Sequence, residues 1–387
     1  MVGDMNLRKT WFVIISIMIL AVSAAQAADV RVRGVKPSPA QTKAKAPPDA
    51  GEWKKVVEAA KREGRLVISG SPSEEWRKSL VDLFIQEYPE ITVEYTGMNA
   101  RDFWPRIRQE RELGKKLWDL RAGGADLDAY GAKREGYLEP IRPLLLPEIA
   151  DESRWIGGLN LLFYDKEKKF IPCYTIYIQR TTAVNRDFIK ETEIKSSGQL
   201  LDPKFRGRIV IQTPTGGASF QALGNLAFMY GPNFIRELLS RQNVVVTNDN
   251  RQQAEWMVRG KYPITLGFNE TQLIPFHRQG LGKNIIKLED KVTPVAKGFG
   301  GISLLKDAPH PNAARVYINW LLSQQTQLKV TKNVMLNSLR TDVPPVDKDT
   351  AVDPARLGDY RIYSTEENME HDSHLLPLIR ESMKSGT

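Results

Sequence analysis

The chain is predicted to be an α/β protein in which two mixed sheets are flanked by helices. Three observations predict it: helical and strand periodicities alternate from Glu52 to Leu322, the strand candidates are short apolar runs, and glycine- and hydroxyl-rich turns stand at their ends. A βαβαβ series of this kind builds a mostly parallel sheet covered on both faces. Its ligand-facing loops lie at the C-terminal ends of the strands.

Two segments precede the first series. Arg8 and Lys9, an apolar run from Trp11 to Ala25, and the triplet Ala25-Gln26-Ala27 follow the order of a secretory signal with an Ala-x-Ala cleavage site. The mature chain is therefore expected to start at Ala28 and to be periplasmic. The alternative is an uncleaved anchor, against which the strongly apolar core is shorter than a bilayer span. Residues 28–51 hold four prolines and no large apolar residue beyond three valines, too little burial to offset ordering entropy, so they read as a flexible linker.

Cys173 is the only cysteine, which excludes an internal disulfide and a lipid-bearing Cys after the signal. Of the formal charge of +9, the signal carries +1 and the linker +3, leaving about +5 for the body. Basic residues there are scattered among acids without an aromatic-basic signature, so nucleic acid is not an expected partner. The mild positive bias suits an anionic ligand or an anionic partner surface.

In the first series, Trp53, Val56, Val57 and Ala60 fall at helical spacing and Gly64 stops the helix. Leu66 to Ser69 is a buried strand. Ser73, followed by Glu74 and Glu75, caps a helix whose stripe is Trp76, Leu80, Leu83 and Phe84 and which ends before Pro89. Ile91 to Tyr95 is a strand, Asp102 to Leu113 a helix, and Trp118 to Leu120 leads into Gly123 and Gly124. The loops to watch are Ser69 to Ser73 and Arg121 to Asp126.

The second series has strand candidates at Phe170 to Ile178, Arg208 to Gln212, Asn243 to Thr247 and Pro263 to Phe268. Helices are expected at Phe220 to Tyr230, Asn233 to Leu239 and Arg251 to Val258. The chain then returns through Ile285 to Leu288 and Gly301 to Leu305 into a helix at Asn312 to Leu322. Past about Asp342 the Pro- and Asp-rich tail reads as loop with little core of its own, ending in a short helix near Leu375.

Four stretches carry a family resemblance: Trp118-Asp-Leu-Arg-Ala-Gly-Gly-Ala-Asp, Leu201-Asp-Pro-Lys-Phe-Arg-Gly-Arg-Ile-Val-Ile-Gln-Thr-Pro-Thr, Gly300-Gly-Ile-Ser-Leu-Leu-Lys-Asp, and Ala308-Pro-His-Pro-Asn-Ala-Ala-Arg-Val-Tyr-Ile-Asn-Trp-Leu-Leu-Ser. In these the chain resembles the extracellular solute-binding proteins of bacterial ABC importers, in particular their ferric-iron-binding-like group. The resemblance implies the two-lobed periplasmic binding protein fold (type II), with a two-stranded hinge and a ligand held between the lobes. It also implies a membrane permease as partner. Lobe I is expected over 52–170 with 272–322, and lobe II over 171–271 with the tail 323–387. A monomer without cofactor is expected.

Family iron binders place two adjacent tyrosines after a strand of the second lobe. The matching stretch here, Gly267-Phe-Asn-Glu-Thr-Gln-Leu-Ile, has none, and Ser69-Gly-Ser-Pro in the first lobe has no His or carboxylate. Ferric iron wants hard oxygen donors, so a small oxygen-rich or anionic ligand is expected instead, with an iron chelate left open.

The candidate ligand contacts follow. Thr213, Thr215, Gly216, Gly217, Ala218 and Ser219 follow a strand and open a helix, where free N–H groups attract anions; Ser219 is alternatively the helix cap. Asn269 and Glu270 stand at another strand end. Tyr174 and Thr175 lie near the expected hinge, where alternation sends part of the segment into the core. From the first lobe come Ser69, Gly70, Ser71, Gly123, Gly124 and Arg101, the last alternatively a surface ion pair. His371 and His374, flanked by Glu370 and Asp372, read as a solvated tail. An enzyme using Cys173 as nucleophile is the rival reading, opposed by an apolar context, Ile171-Pro-Cys-Tyr, without a base. A ligand-sensing partner of a receptor would look the same in sequence.

Overall fold

The computed structural model describes residues 50–268 and 270–385. The expected signal peptide and nearly all of the expected linker lie outside them. Along the chain the strands are β1 (Arg65–Gly70), β2 (Thr92–Gly97), β3 (Leu120–Ala122), β4 (Leu138–Glu139), β5 (Tyr177–Ile178), β6 (Thr182–Asn185), β7 (Ile209–Gln212), β8 (Val245–Thr247), β9 (Ile264–Leu266), β10 (Ile285–Lys287), β11 (Thr293–Ala296), β12 (Ile302–Leu305) and β13 (Tyr360–Ile362). They form one sheet of order β2-β1-β3-β12-β4 and a second of order β10-β6-β9-β7-β8. In each, three neighbouring strands run parallel, β2-β1-β3 and β8-β7-β9, and the remaining strands attach antiparallel.

Leu66 and Ile68 of β1 bury one face of the first sheet under the helices Ala50–Glu63 and Pro311–Leu322, with Phe84, Tyr317 and Trp320 packed ring against ring beside them. Its other face is filled by Phe103, Trp104, Ala129 and Tyr130 from the helices Ala100–Glu112 and Leu127–Arg134. The second sheet is covered likewise. Phe220, Leu223 and Leu226 of helix Gly217–Tyr230 lie on one side, Ala254, Met257 and Val258 of helix Asn250–Val258 on the other. Strands buried on both faces read as unbroken apolar runs, which is why Ile209 to Ile211 shows no alternation. Ser73 caps its helix as expected, its hydroxyl accepting from the Trp76 N–H.

Three expectations change. The expected continuous strand over Phe170 to Ile178 is a row of single bridges, Phe163 to Pro172, Cys173 to Gly301 and Thr175 to Ser338, before β5. The cause is that Pro172 has no N–H to extend a ladder. The boundary at 272 put Ile285 to Lys287 with the first lobe, yet β10 pairs with β6 and Leu288 enters the second core. The chain rejoins the first sheet at β12. Finally, the connection between the sheets is a third sheet of order β13-β11-β5, three strands where a two-stranded hinge was expected.

The tail is accordingly more than loop. Helix Leu375–Ser385 buries Leu375 and Ile379 in the second core. Ahead of it, Glu366 accepts from Lys133 at 2.5 Å, from Arg134 at 3.2 Å and from the Lys166 N–H at 2.9 Å. Tyr130 also donates to the Ser364 carbonyl, so the tail is fixed to the first lobe's helix Leu127–Arg134. Arg361 meets Asp372 at 2.7 Å and Asn225 of helix Gly217–Tyr230 at 2.5 Å. His371 and His374 stay exposed beside these pairs.

Removing one partner of a buried ion pair leaves an uncompensated charge, which costs about 3–5 kcal/mol. Asp372→Ala is expected to lose that much in urea denaturation and Asp372→Asn clearly less, because the amide still offers Arg361 an acceptor.

Candidate functional site

At the C-terminal edge of the first sheet's parallel strands, Ser69 is fully buried and its hydroxyl accepts from Arg121 Nη1 at 2.8 Å. Gly70 lies under the Tyr95 ring, and the Tyr95 hydroxyl donates to the Ser71 carbonyl at 2.6 Å. The Ser71 hydroxyl accepts from the Ser73 N–H. All three residues of the Ser69 to Ser71 group are buried, and the turn reaches the surface at Pro72. Arg101 is in the first turn of helix Ala100–Glu112.

Gly123 and Gly124 are where the chain leaves β3. The Gly123 N–H donates to the Gly301 carbonyl at 2.8 Å, and a Cβ on Gly124 would stand 2.5 Å from the Gly298 carbonyl oxygen. Next to them Asp126 caps helix Leu127–Arg134, accepting from the Ala129 N–H at 2.8 Å. Burial pushes its carboxyl up to about 6.

Tyr174 and Thr175 do not line an opening. Tyr174 is fully buried in the first lobe's core, and the Thr175 hydroxyl donates to the Lys297 carbonyl at 2.5 Å. The alternation sends Tyr174 and Ile176 into that core together. Behind them Lys297 is itself buried: its Nζ donates to the carbonyls of Leu161 at 2.6 Å and Cys173 at 3.0 Å and sits 3.8 Å from the centre of the Tyr164 ring. Burial pushes the Cys173 thiol up to about 12, with Lys297 pulling the other way. A thiol so placed is not a thiolate at neutral pH.

In the second sheet, helix Gly217–Tyr230 follows β7 as expected, but its N-cap is Gly216. Ser219 is not the cap. It lies inside the helix, buried, and its hydroxyl accepts from the Gln212 N–H at 3.0 Å. Thr213 is exposed and bonded to Asn248, and Thr215 is exposed. Gly216 and Gly217 are exposed, with open space where a side chain would be, and Gly217 has φ +59°, the left-handed region glycine tolerates. The Ala218 carbonyl abuts Gly267, so the helix start is seated on the end of β9. Glu270 opens the short turn Glu270–Leu273, while Asn269 lies outside the described residues.

Sequence reasoning has Arg121 only as the start of the loop Arg121 to Asp126 and Trp76 only in a helix stripe, and it passes over Phe299. Arg121 carried a signal: a lone charge between Leu120 and Ala122 in a strand otherwise apolar. Phe299 is 43 % exposed, on the turn between β11 and β12, and meets Trp76 edge to face with ring centres 6.2 Å apart. Among the described residues no group of three or more His, Cys, Asp or Glu could hold a metal ion.

A family model described as bacterial extracellular solute-binding protein matches residues 179–333. That segment is similar to the solute-binding proteins. A curated protein of Haemophilus influenzae, itself uncharacterised, is 24 % identical over 313 residues, which is 78 % of this chain and 85 % of that one. Among solved structures, the ferric binding protein of Campylobacter jejuni has TM-score 0.65 at 18 % identity and iron-bound HitA of Pseudomonas aeruginosa 0.63 at 18 %, each covering 82 % of this chain and 99 % of its own. AfuA of Actinobacillus pleuropneumoniae, with fructose-6-phosphate bound, has TM-score 0.58 at 21 % identity, covering 83 % and 99 %. Similarity at this level shows the fold, which is the two-lobed one of periplasmic binding proteins.

The Lys297 ammonium is held well below its ordinary value of 10.5, because burial disfavours its charge. The unfolded chain then binds that proton more tightly than the folded one, so stability rises as pH rises from the folded value toward 10.5. Unfolding free energies of wild type and Lys297→Met at pH 7 and pH 9.5 are expected to show this rise in the wild type and its absence in the variant.

Proposed function

We propose that the chain is the substrate-binding component of an importer. It takes up a small oxygen-rich or anionic solute between its two lobes, outside the cytoplasmic membrane, and hands it to a membrane permease. The observation that carries the reading is the pairing of a solute-binding family match over 179–333 with two sheets of the same plan, each ending its parallel strands in a glycine-rich turn. The turn at Gly123 and Gly124 serves the first lobe, with Gly70, Ser71 and Arg101 beside it. The helix opening at Thr213 to Ala218, with Asn269 and Glu270, serves the second. N–H groups at such an opening carry partial positive charge and favour oxyanions. Ser69, Tyr174, Thr175 and Ser219 support these turns from behind.

The reading takes an oxyanion over a bare ferric ion because the stretch from Gly267 to Ile274 offers no tyrosine. Export through the signal at residues 1–27, a linker to about residue 51 and a monomeric working form complete the proposal.

Small-angle scattering on the mature protein, with ferric ion alone and with carboxylates and phosphate esters, tests it. Contraction is expected with an oxyanion solute that also raises the melting midpoint, since lobe closure is how such folds hold ligand. Cys173→Ser is expected to contract equally. Turnover of a bound solute that vanishes in Cys173→Ser would establish the enzyme reading instead.

A further inference from the structure

Among the described groups at the first lobe's turn, Arg121 is the one with unused capacity. It is 3 % exposed, in the middle of β3. Its Nη1 donates to the Ser69 hydroxyl and the Met98 carbonyl, both at 2.8 Å, and to the Gly70 carbonyl at 3.3 Å. The guanidinium lies over the Phe103 ring, 5.1 Å from its centre. Nε and Nη2 have no hydrogen-bond partner, and no carboxylate stands within ion-pair distance, among the described residues. Asp126 attracts the guanidinium from farther off but is occupied in capping its helix. Buried cations are normally paired, because an uncompensated charge in a poorly solvated place is costly.

The unused edge faces Gly123, and neither nitrogen is among the fully buried polar atoms that lack a partner. A Cβ on Gly123 would stand 3.0 Å from Nε and 3.1 Å from Nη2, so glycine there uncovers the two donors that any other residue would cover. The backbone of Phe299 borders the same turn, its Cα 4.0 Å from where a Cβ of Gly124 would be, and its ring is exposed beside Trp76. Two parallel N–H donors match two oxygens of a carboxylate or phosphate, and an exposed ring on the neighbouring turn suits a carbon skeleton.

We propose that the Nε–Nη2 edge of Arg121 seats the oxyanion group of the transported solute, a phosphate monoester or a carboxylate, with its carbon skeleton against Phe299. This rests on the substrate-binding reading and deepens it. The first lobe then selects for charge, and Gly123 is the residue that keeps the guanidinium reachable.

The test is calorimetric titration of the mature protein with inorganic phosphate, citrate, glucose 6-phosphate and glucose. Wild type, Gly123→Ala and Arg121→Gln are compared. Gly123→Ala keeps the guanidinium, which gives by a few tenths of an ångström, and seats a methyl against its Nε and Nη2, so it keeps the site testable where Arg121→Gln fails to fold. The expected result is binding of citrate or glucose 6-phosphate, with inorganic phosphate weaker. Gly123→Ala should weaken it at least about tenfold while melting near the wild-type midpoint. Preference between citrate and glucose 6-phosphate distinguishes carboxylate from phosphate ester. Undiminished affinity for the charged probe in both variants would overturn the inference and leave solute binding standing. Binding of glucose with none of the three anions would do the same. Binding of none of the four would overturn it as well. The broader reading is then judged by native mass spectrometry of protein taken from its own periplasm, where a co-purified neutral solute would sustain it.

Discussion

Three stretches of backbone meet near the middle of the fold at distances that only glycine permits. A Cβ on Gly301 would stand 2.4 Å from the Gly123 carbonyl, one on Gly124 2.5 Å from the Gly298 carbonyl, and one on Gly300 1.9 Å from the Thr175 hydroxyl. Two backbone hydrogen bonds fasten the meeting, Gly123 to Gly301 at 2.8 Å and Tyr174 to Gly300 at 2.7 Å. Here β3 ends, β12 begins, and the third sheet passes between the other two. The approach turns Phe299 outward beside the Gly123 turn, buries Lys297 behind it, and leaves the guanidinium edge of Arg121 without a covering side chain. A larger residue at Gly124 or Gly301 must push against backbone and one at Gly300 against the buried Thr175 side chain, and a close-packed interior has little slack to absorb that.

The buried cations sort by what they meet. Lys133, Arg340 and Arg361 each face a carboxylate, Glu366, Asp342 and Asp372 respectively, and each pair joins segments distant in sequence or closes a turn. Lys297 meets no acid among the described residues, but two carbonyls and the face of Tyr164 take up its donors. Such a group holds structure and has nothing left to offer a ligand. Among the described residues Arg121 alone combines deep burial with two donors unspent. Burial lowers its pKa, yet the guanidinium stays charged at any ordinary pH, so an arriving anion finds a cation already desolvated and oriented. Preorganisation of that kind removes part of the ordering cost of binding.

Much of this architecture could be read from apolar periodicity. The helices at Phe220 to Tyr230 and Asn312 to Leu322 and the strand at Arg208 to Gln212 fall within a few residues of where they form, because each buries an unbroken stripe or run. The tail could not. Its contribution comes from charged residues turned inward, Arg361, Glu366 and Asp372, and in a single sequence such residues look like a solvated surface until their partners at Asn225, Lys133 and Lys166 are brought near. The site was half legible for the same reason. The glycine turns at Gly123 and Gly216 are local signals, whereas the inward turn of Tyr174, Thr175 and Ser219 depends on which face of a bridge or helix the rest of the chain covers. The family stretches around Gly123 and Gly300 meet directly, through the bond from the Gly123 N–H to the Gly301 carbonyl.

On the proposed reading, the two lobes offer an anion different things. The second lobe presents a helix opening at exposed glycines, which water can also reach in the open form. The first presents a charged fork that is mostly buried before any ligand arrives. A ligand shifts an equilibrium between open and closed forms only by the difference in its affinity for them. Contact with Arg121 alone is available in the open form and so adds affinity without driving closure. The additional N–H donors at Gly217 and Ala218 are gained only when the second lobe swings in, and they act on an oxyanion from which closure has excluded water, where each hydrogen bond is electrostatically stronger. Charge recognition by the first lobe and closure by the second are therefore separable, and the solute best suited to this chain carries oxygens on both of its ends.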